Sequence, residues 1–193
     1  MIRLDVYWDP ICPWCLIGLT RLNAARATFR ELPLALRWRP FRLNPWMPPE
    51  GMDRRAYLEA KFGGAEAAAR VYGAIAEAAR AEGLDLALDA IERTPDTTGA
   101  HRLMAGAARA GRADALAAVL LRRYFADAED IGAPEILRAA AAEVGIAETP
   151  HETGGDEAVL AEEAEARRLG IGGVPAYLIE GRSQIGRASC RER

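Results

Sequence analysis

The chain has 193 residues, of which 50% are hydrophobic, 27% charged and 7% aromatic, with a formal net charge of -3. That length fits one domain, or one domain carrying a large insertion, and is enough to bury a core without disulfide staples. The near balance of 25 basic and 28 acidic residues removes the simplest argument for a nucleic-acid or anionic-membrane partner.

No stretch approaches the roughly 20 apolar residues of a membrane span. The opening MIRLDVYWDPICPWC has neither a basic segment nor an apolar run ahead of its first cysteines, so a cytoplasmic location is expected. The three cysteines, Cys12, Cys15 and Cys190, are too few for a disulfide framework. Lys61 is the only lysine; with the abundant alanine, the arginine-rich basic set reads as coding bias rather than chemistry.

Ile2–Trp8 alternates apolar and polar residues and predicts a strand. A proline-punctuated turn over Asp9–Pro13 leads into a helical run in which Leu16, Leu19, Leu22 and Phe29 recur at three- and four-residue steps, with Pro33 beyond its end. Leu34–Phe41 alternates again, and two strands bridged by a helix imply a parallel pair. A proline-dense loop spans Arg42–Gly51. From Met52 to about Gly145 the composition turns to alanine, leucine, arginine and glutamate with no plausible strand. Helices are expected there near Asp53–Phe62, Ala65–Glu82, Asp96–Ala110, Arg112–Asp127 and Pro134–Val144, separated by glycines. Asp156–Arg168 carries acids in its first turn, arginines in its last and Gly170 beyond, as the helix dipole and C-cap favour. Val174–Ile179 is the last clear strand, with Glu180–Gly181 a hairpin-turn candidate.

Cys12-Pro13-Trp14-Cys15 stands where a strand gives way to a helix, the setting in which C-x-x-C reads as a redox pair. Cysteines three apart on a first helical turn can come within disulfide distance. The unpaired amides of a helix N-terminus stabilise an anion, so Cys12 should ionise easily, as an exposed attacking thiolate. Cys15, one turn deeper, would resolve. Pro13 fits the first helical position, where its missing N–H costs nothing. Two bland readings stay open: half of a zinc site, though no second C-x-x-C or H-x(3–5)-H exists, and two incidental buried cysteines. A c-type haem attachment is excluded because Leu16, not histidine, follows Cys15.

Gly173-Val174-Pro175 opens the last strand. A cis bond there would turn the Val174 main chain toward a peptide or thiol held near Cys12; a trans proline breaking a loop is the alternative. His101 reads as a packing or surface histidine and His151 as an exposed loop residue. Trp8, Trp38 and Trp46 read as core or groove-lining rather than a base-stacking platform. Trp14, between the cysteines, must affect exposure of the sulfurs.

Tyr7–Cys15 together with Gly172–Pro175 resembles the thioredoxin superfamily, in its DsbA branch. Pro40–Pro45, Glu50–Asp53, Ala100–Leu103, Tyr124–Phe125 and Asp130–Gly132 resemble the FrnE-like subgroup. The resemblance implies an α/β thioredoxin-like fold with an all-helical insertion and dithiol–disulfide oxidoreductase or isomerase activity. It further implies Cys12 as nucleophile and a cis-Pro175 loop, so that Val174, Pro175, Pro13 and Trp14 would contact substrate. No metal or organic cofactor is needed; glutathione is a candidate reductant. The expected partners are thiol- or disulfide-bearing proteins or peptides, and the chain is expected as a monomer or homodimer. The related 2-hydroxychromene-2-carboxylate isomerases share the architecture but usually lack the cysteine pair and use glutathione. A glutathione-dependent isomerase and a non-catalytic binding module are therefore the alternatives.

The expected organisation is residues 1–51 as the N-terminal β-α-β half, 52–148 as the helical insertion, and 149–184 as an incomplete C-terminal half. Residues 185–193, with Cys190, resemble the in-frame translation of a sequencing adapter and read as an artefactual tail. On that reading the chain is truncated, and the Val174–Ile179 strand would lack a partner on one side, an aggregation risk.

Overall fold

The computed structural model describes residues 1–147, 155–181 and, for the backbone path, 183–186. His151 and Cys190 lie outside the described residues. A four-stranded sheet runs in the order β2-β1-β5-β6, formed by β1 (Ile2–Trp8), β2 (Leu34–Pro40), β5 (Ala176–Ile179) and β6 (Ser183–Gly186). β1 and β2 pair in parallel from Ile2↔Leu34 to Trp8↔Pro40, whereas β5 runs antiparallel to β1, with Ala176 opposite Tyr7.

The alternation in β1 does not separate a wet face from a dry one. Leu4 through Trp8 are all buried, Asp5 and Tyr7 included, because this is an interior strand covered on both sides. Between β1 and β2 runs α1 (Pro13–Thr28), which opens with Pro13 on an extended Cys12 cap and ends at Phe29. Its first turns bury Cys15, Ile17 and Leu19, and helices of the insertion pack against it.

The middle block holds α2 (Arg54–Phe62), α3 (Ala65–Ala81), α4 (Thr98–Arg109), α5 (Ala113–Phe125) and α6 (Pro134–Glu143). These bounds follow the caps and glycines visible in the sequence: Asp53 accepts the Ala56 amide at 2.8 Å, and Gly63 closes α2 in the left-handed region at φ +81°. The block is not wholly helical, however. β3 (Met52–Asp53) pairs antiparallel with β4 (Arg93–Thr94), and a short 3-10 turn spans Leu88–Ala90. Strands of two residues carry no periodicity to read. Gly51 makes the close approach of this ladder feasible: at φ +72°, its missing Cβ would lie 2.7 Å from the Thr94 carbonyl oxygen.

One continuous hydrophobic core unites sheet and insertion, from Leu4, Val6 and Trp8 to Leu103, Leu120, Tyr124 and Ile171. A buried ion pair reinforces the join. Arg42, just beyond β2, donates to Glu163 through Nε at 2.7 Å and Nη2 at 3.1 Å, and through Nη1 to Thr98 Oγ1 at 2.9 Å. Glu163 belongs to α7 (Asp156–Arg168), so the two charges tie α7 to the start of α4.

At the other end of the chain, β5 is not left unpaired. Ser183–Gly186 continues as an edge strand, with Ile179↔Ser183 and Ala176↔Gly186 opposite each other. Ile185 and Gly186 therefore belong to the sheet rather than to a tail, and the strand begins at Ala176 rather than Val174 because Pro175 cannot donate to a ladder. Among the described residues, no helix is long and apolar enough to cross a membrane.

Candidate active site

The sheet's topology gathers three segments at one place. β1 and β2 both exit at the same end because they are parallel, and β5 enters there because it is antiparallel to β1. The turn after β1 carries Asp9 to Cys12, the loop after β2 carries Phe41 to Asn44, and the segment entering β5 carries Val174 and Pro175. Hydrogen bonds lock them together: Phe41 N donates to Trp8 O at 3.1 Å and Leu43 N to Asp9 Oδ2 at 2.6 Å.

Cys12 is the N-cap of α1, with φ −90° and ψ 112°, and its amide donates to Asp9 O at 3.0 Å. Its thiol donates to the Val174 carbonyl at 3.5 Å, and the Val174–Pro175 peptide is cis. Gly18, on the next turn of α1, allows this arrangement. A Cβ there would lie 2.5 Å from the Tyr177 hydroxyl and 3.1 Å from Pro175.

Cys12 and Cys15 are both free thiols. Cys12 is not exposed, as expected from sequence, but only 3% accessible; Cys15 is 4% accessible. The cap position places Cys12 under the Val174 segment. Its thiol is nevertheless pushed down from the ordinary value. The Cys15 thiol, donating to the Cys12 sulfur, is the largest cause, and the Cys15 and Trp14 amides add to it. Burial and the Asp9 charge oppose. The helix start thus assists ionisation but does not lead it, and Cys12 makes no side-chain capping bond. Cys15 is pushed well up, by burial first and by its neighbour Cys12 next. The pair is therefore asymmetric: Cys12 is the easier of the two to ionise, and Cys15 holds its proton more tightly.

Pro13 stands at the first helical position and is buried, Trp14 is half-buried, and Val174 is buried against Cys12. Several residues around the sulfur were not singled out from sequence. Asp9 is fully buried. Its carboxyl takes the Leu43 amide at 2.6 Å and the Ile11 amide at 3.3 Å, yet burial pushes it up to about 7. His101 packs edge-on against Trp8, with ring centroids 6.0 Å apart, and its Nε2 is buried without a hydrogen-bond partner, 3.9 Å from Asp9 Oδ1. Burial, then Arg42, pushes His101 down to about 3, so the imidazole is neutral and the contact is not an ion pair. On α2, Tyr57 and Lys61 sense the Cys12 charge, and Trp46, taken from sequence as core or groove-lining, is 61% exposed beside Tyr57. Two features of the sequence could have found them: a short acid three residues before Cys12, and the only lysine of the chain, which reads from sequence as coding bias. Among the described residues, no group of three or more His, Cys, Asp or Glu side chains could hold a metal ion.

These features define a thioredoxin fold with a helical insertion and a paired thiol at the start of its first helix. The chain belongs to the DSBA-like thioredoxin domain family, which matches residues 3–191. It is similar to the crystal structure of a probable DsbA oxidoreductase from Streptomyces coelicolor, at 28% identity and a TM-score of 0.83 over 96% of this chain and 83% of that one. The cytosolic disulfide reductase DsbM from Pseudomonas aeruginosa, solved with GSH, shares 21% identity and a TM-score of 0.66, over 98% of this chain and 91% of that one. A 2-hydroxychromene-2-carboxylate isomerase shares the fold at 12% identity and a TM-score of 0.70, over 98% and 92% of the two chains. No curated protein matches the sequence.

Proposed function

We propose that this protein is a dithiol–disulfide oxidoreductase of the FrnE-like type, acting in the cytoplasm on disulfides through Cys12 and Cys15. The observation that carries the reading is the Cys12 thiol directed at the Val174 carbonyl, 3.5 Å away, with its proton affinity lowered while that of Cys15 is raised.

In the reducing direction the Cys12 thiolate attacks one sulfur of a substrate disulfide. A Cys12–substrate bond forms, the substrate disulfide breaks, and the departing thiolate takes a proton from solvent. Cys15 then gives up its proton and attacks the Cys12 sulfur, closing Cys12–Cys15 and releasing the second substrate thiol. Two electrons pass from the cysteine pair to the substrate; the oxidising direction reverses each step. Val174, held beside the sulfur, offers main-chain groups to an extended substrate segment, and Pro175, Pro13 and Trp14 flank it. A substrate reaches the buried sulfur by displacing the Val174 contact. Two glutathione molecules would return the pair to the dithiol, the first forming a mixed disulfide with Cys12 and the second releasing it as glutathione disulfide.

Cys12→Ser is expected to abolish disulfide reduction, and Cys15→Ser to accumulate mixed disulfides with substrate, read by intact mass. Wild-type turnover in Cys12→Ser would refute the reading. Glutathione-dependent isomerisation surviving the Cys12/Cys15 double serine variant would select the isomerase alternative instead.

A further inference from the structure

One face of α2 lies within electrostatic reach of the Cys12 sulfur. Arg54, Tyr57 and Lys61 recur at three- and four-residue steps and so lie in one stripe. Among the described residues, neither Arg54 nor Lys61 has a carboxylate partner, whereas Arg39, Arg42 and Arg123 all do. Arg54 is buried at 5% exposure and held only by neutral groups. Its Nη1 donates to Thr94 Oγ1 and the Tyr124 hydroxyl, each at 3.1 Å, and its Nη2 to the Tyr72 hydroxyl at 2.7 Å. A buried guanidinium without a counter-charge is costly, and such charges are normally paired.

Lys61 extends the positive stripe. Its ammonium donates to the Tyr57 hydroxyl and, at 3.4 Å, to Asn44 Oδ1, which also accepts from Tyr57 at 3.0 Å. An ammonium cannot accept, so these bonds fix which end of the Asn44 amide faces them. The other end, Nδ2, is buried and has no partner. It is one of several buried polar side-chain atoms without a partner, and an acceptor brought by a ligand would satisfy it. Burial, the largest influence, pushes Lys61 down from the ordinary value; the charges of Cys12 and Asp9 favour its ammonium and Arg54 opposes it. Asp9 cannot serve as the missing counter-ion at the surface, since it is fully buried and already bound to the Leu43 and Ile11 amides.

We propose that Lys61, Tyr57 and Asn44, backed by the Arg54 charge, form a carboxylate-recognition subsite beside Cys12. The preferred substrates are then low-molecular-weight disulfides that carry a carboxylate near the sulfur. This rests on the oxidoreductase reading above and names its substrate class. The burial of Cys12, a residue 3% accessible, favours a small ligand over a folded protein.

The test measures the rate at which dithiodipropionate (anionic), hydroxyethyl disulfide (neutral) and cystamine (cationic) oxidise the reduced protein at low ionic strength. Each rate is normalised to that of the same disulfide with a small neutral thiol. The wild type is expected to favour the anionic over the cationic probe by roughly tenfold or more, and salt should shrink the difference. Lys61→Met should lower the anionic-to-neutral ratio by roughly tenfold, and Lys61→Arg should retain most of it. An unchanged ratio in Lys61→Met, or cystamine reacting as fast as dithiodipropionate in the wild type, overturns the subsite. If the neutral disulfide fails to oxidise Cys12 and Cys15 at all, the oxidoreductase reading falls as well.

Discussion

Asp9 and His101 give the fold a pH signature that single substitutions should expose. Burial raises the Asp9 carboxyl from 3.8 to about 7 and lowers His101 from 6.5 to about 3. Taken alone, Asp9 keeps a proton in the native state that the unfolded chain has released, so stability falls as pH rises from about 4 to 7. At about 1.4 kcal/mol per pH unit, that window is worth about 4 kcal/mol. Taken alone, His101 has the opposite sign: the unfolded chain binds a proton the native state refuses, so stability is lost as pH falls from 6.5 toward 3, by a similar amount. Between pH 4 and 6.5 the two cancel. Each state then holds one proton on the pair, the unfolded chain on histidine and the native one on aspartate. The wild type should therefore show little pH dependence from this pair. Asp9→Asn should leave the histidine slope, stability rising by several kcal/mol from pH 4 to 6.5, and His101→Phe should leave the aspartate slope, falling over the same range. Denaturant midpoints measured from pH 4 to 8 read both, since other carboxylates contribute the same background to all variants. Parallel profiles in the wild type and both variants would refute the argument.

Glu163→Gln removes one half of a buried ion pair whose side chains are 10% and 5% accessible. It should destabilise by about 3 kcal/mol, the low end for such pairs because Asp96 lies 3.9 Å from the Arg42 guanidinium, as urea unfolding would show. Gly18→Ala places a methyl 2.5 Å from the Tyr177 hydroxyl, an overpacking that outweighs the roughly 1 kcal/mol alanine gains in a helix. It should slow disulfide exchange by moving Pro175 away from Cys12, and Tyr177→Phe in the same chain should restore part of the rate.

Much of the architecture was legible because its breaks are chemical. Pro13, Pro33, Gly63 and Gly111 leave little freedom in where helices start and stop, and the structure places α2 to α7 within a few residues of the sequence reading. The failures also have physical causes. β1 alternates in sequence but is buried on both faces, since strand polarity records side-chain chemistry and not which layers later cover it. β3 and β4 are too short to leave a pattern. β6 straddles the expected end of an incomplete C-terminal half and the start of an expected artefactual tail, yet β5 needs an edge partner for its backbone groups and takes Ser183–Gly186.

The cysteine pair was visible because its logic is local, four residues at a strand-to-helix junction. Its surroundings were not, because they assemble over long separations: Val174 stands 162 residues from Cys12 and meets it through β5. Asp9, His101, Asn44 and Lys61 lie in the β1–α1 turn, α4, the loop after β2 and α2, and only the sheet topology brings them to one end. That convergence changes how the sulfur's charge should be understood. Helix position alone predicts an exposed thiolate; the structure gives a buried thiol whose ionisation is favoured chiefly by Cys15 and which lies within electrostatic reach of Lys61 on α2. Below pH 7 Asp9 is largely neutral, so Lys61 acts on the sulfur with no full competing negative charge. As Asp9 ionises above that pH it opposes ionisation of Cys12 and favours the Lys61 ammonium. Thiol reactivity and any preference for anionic substrates are thus coupled through one buried carboxyl.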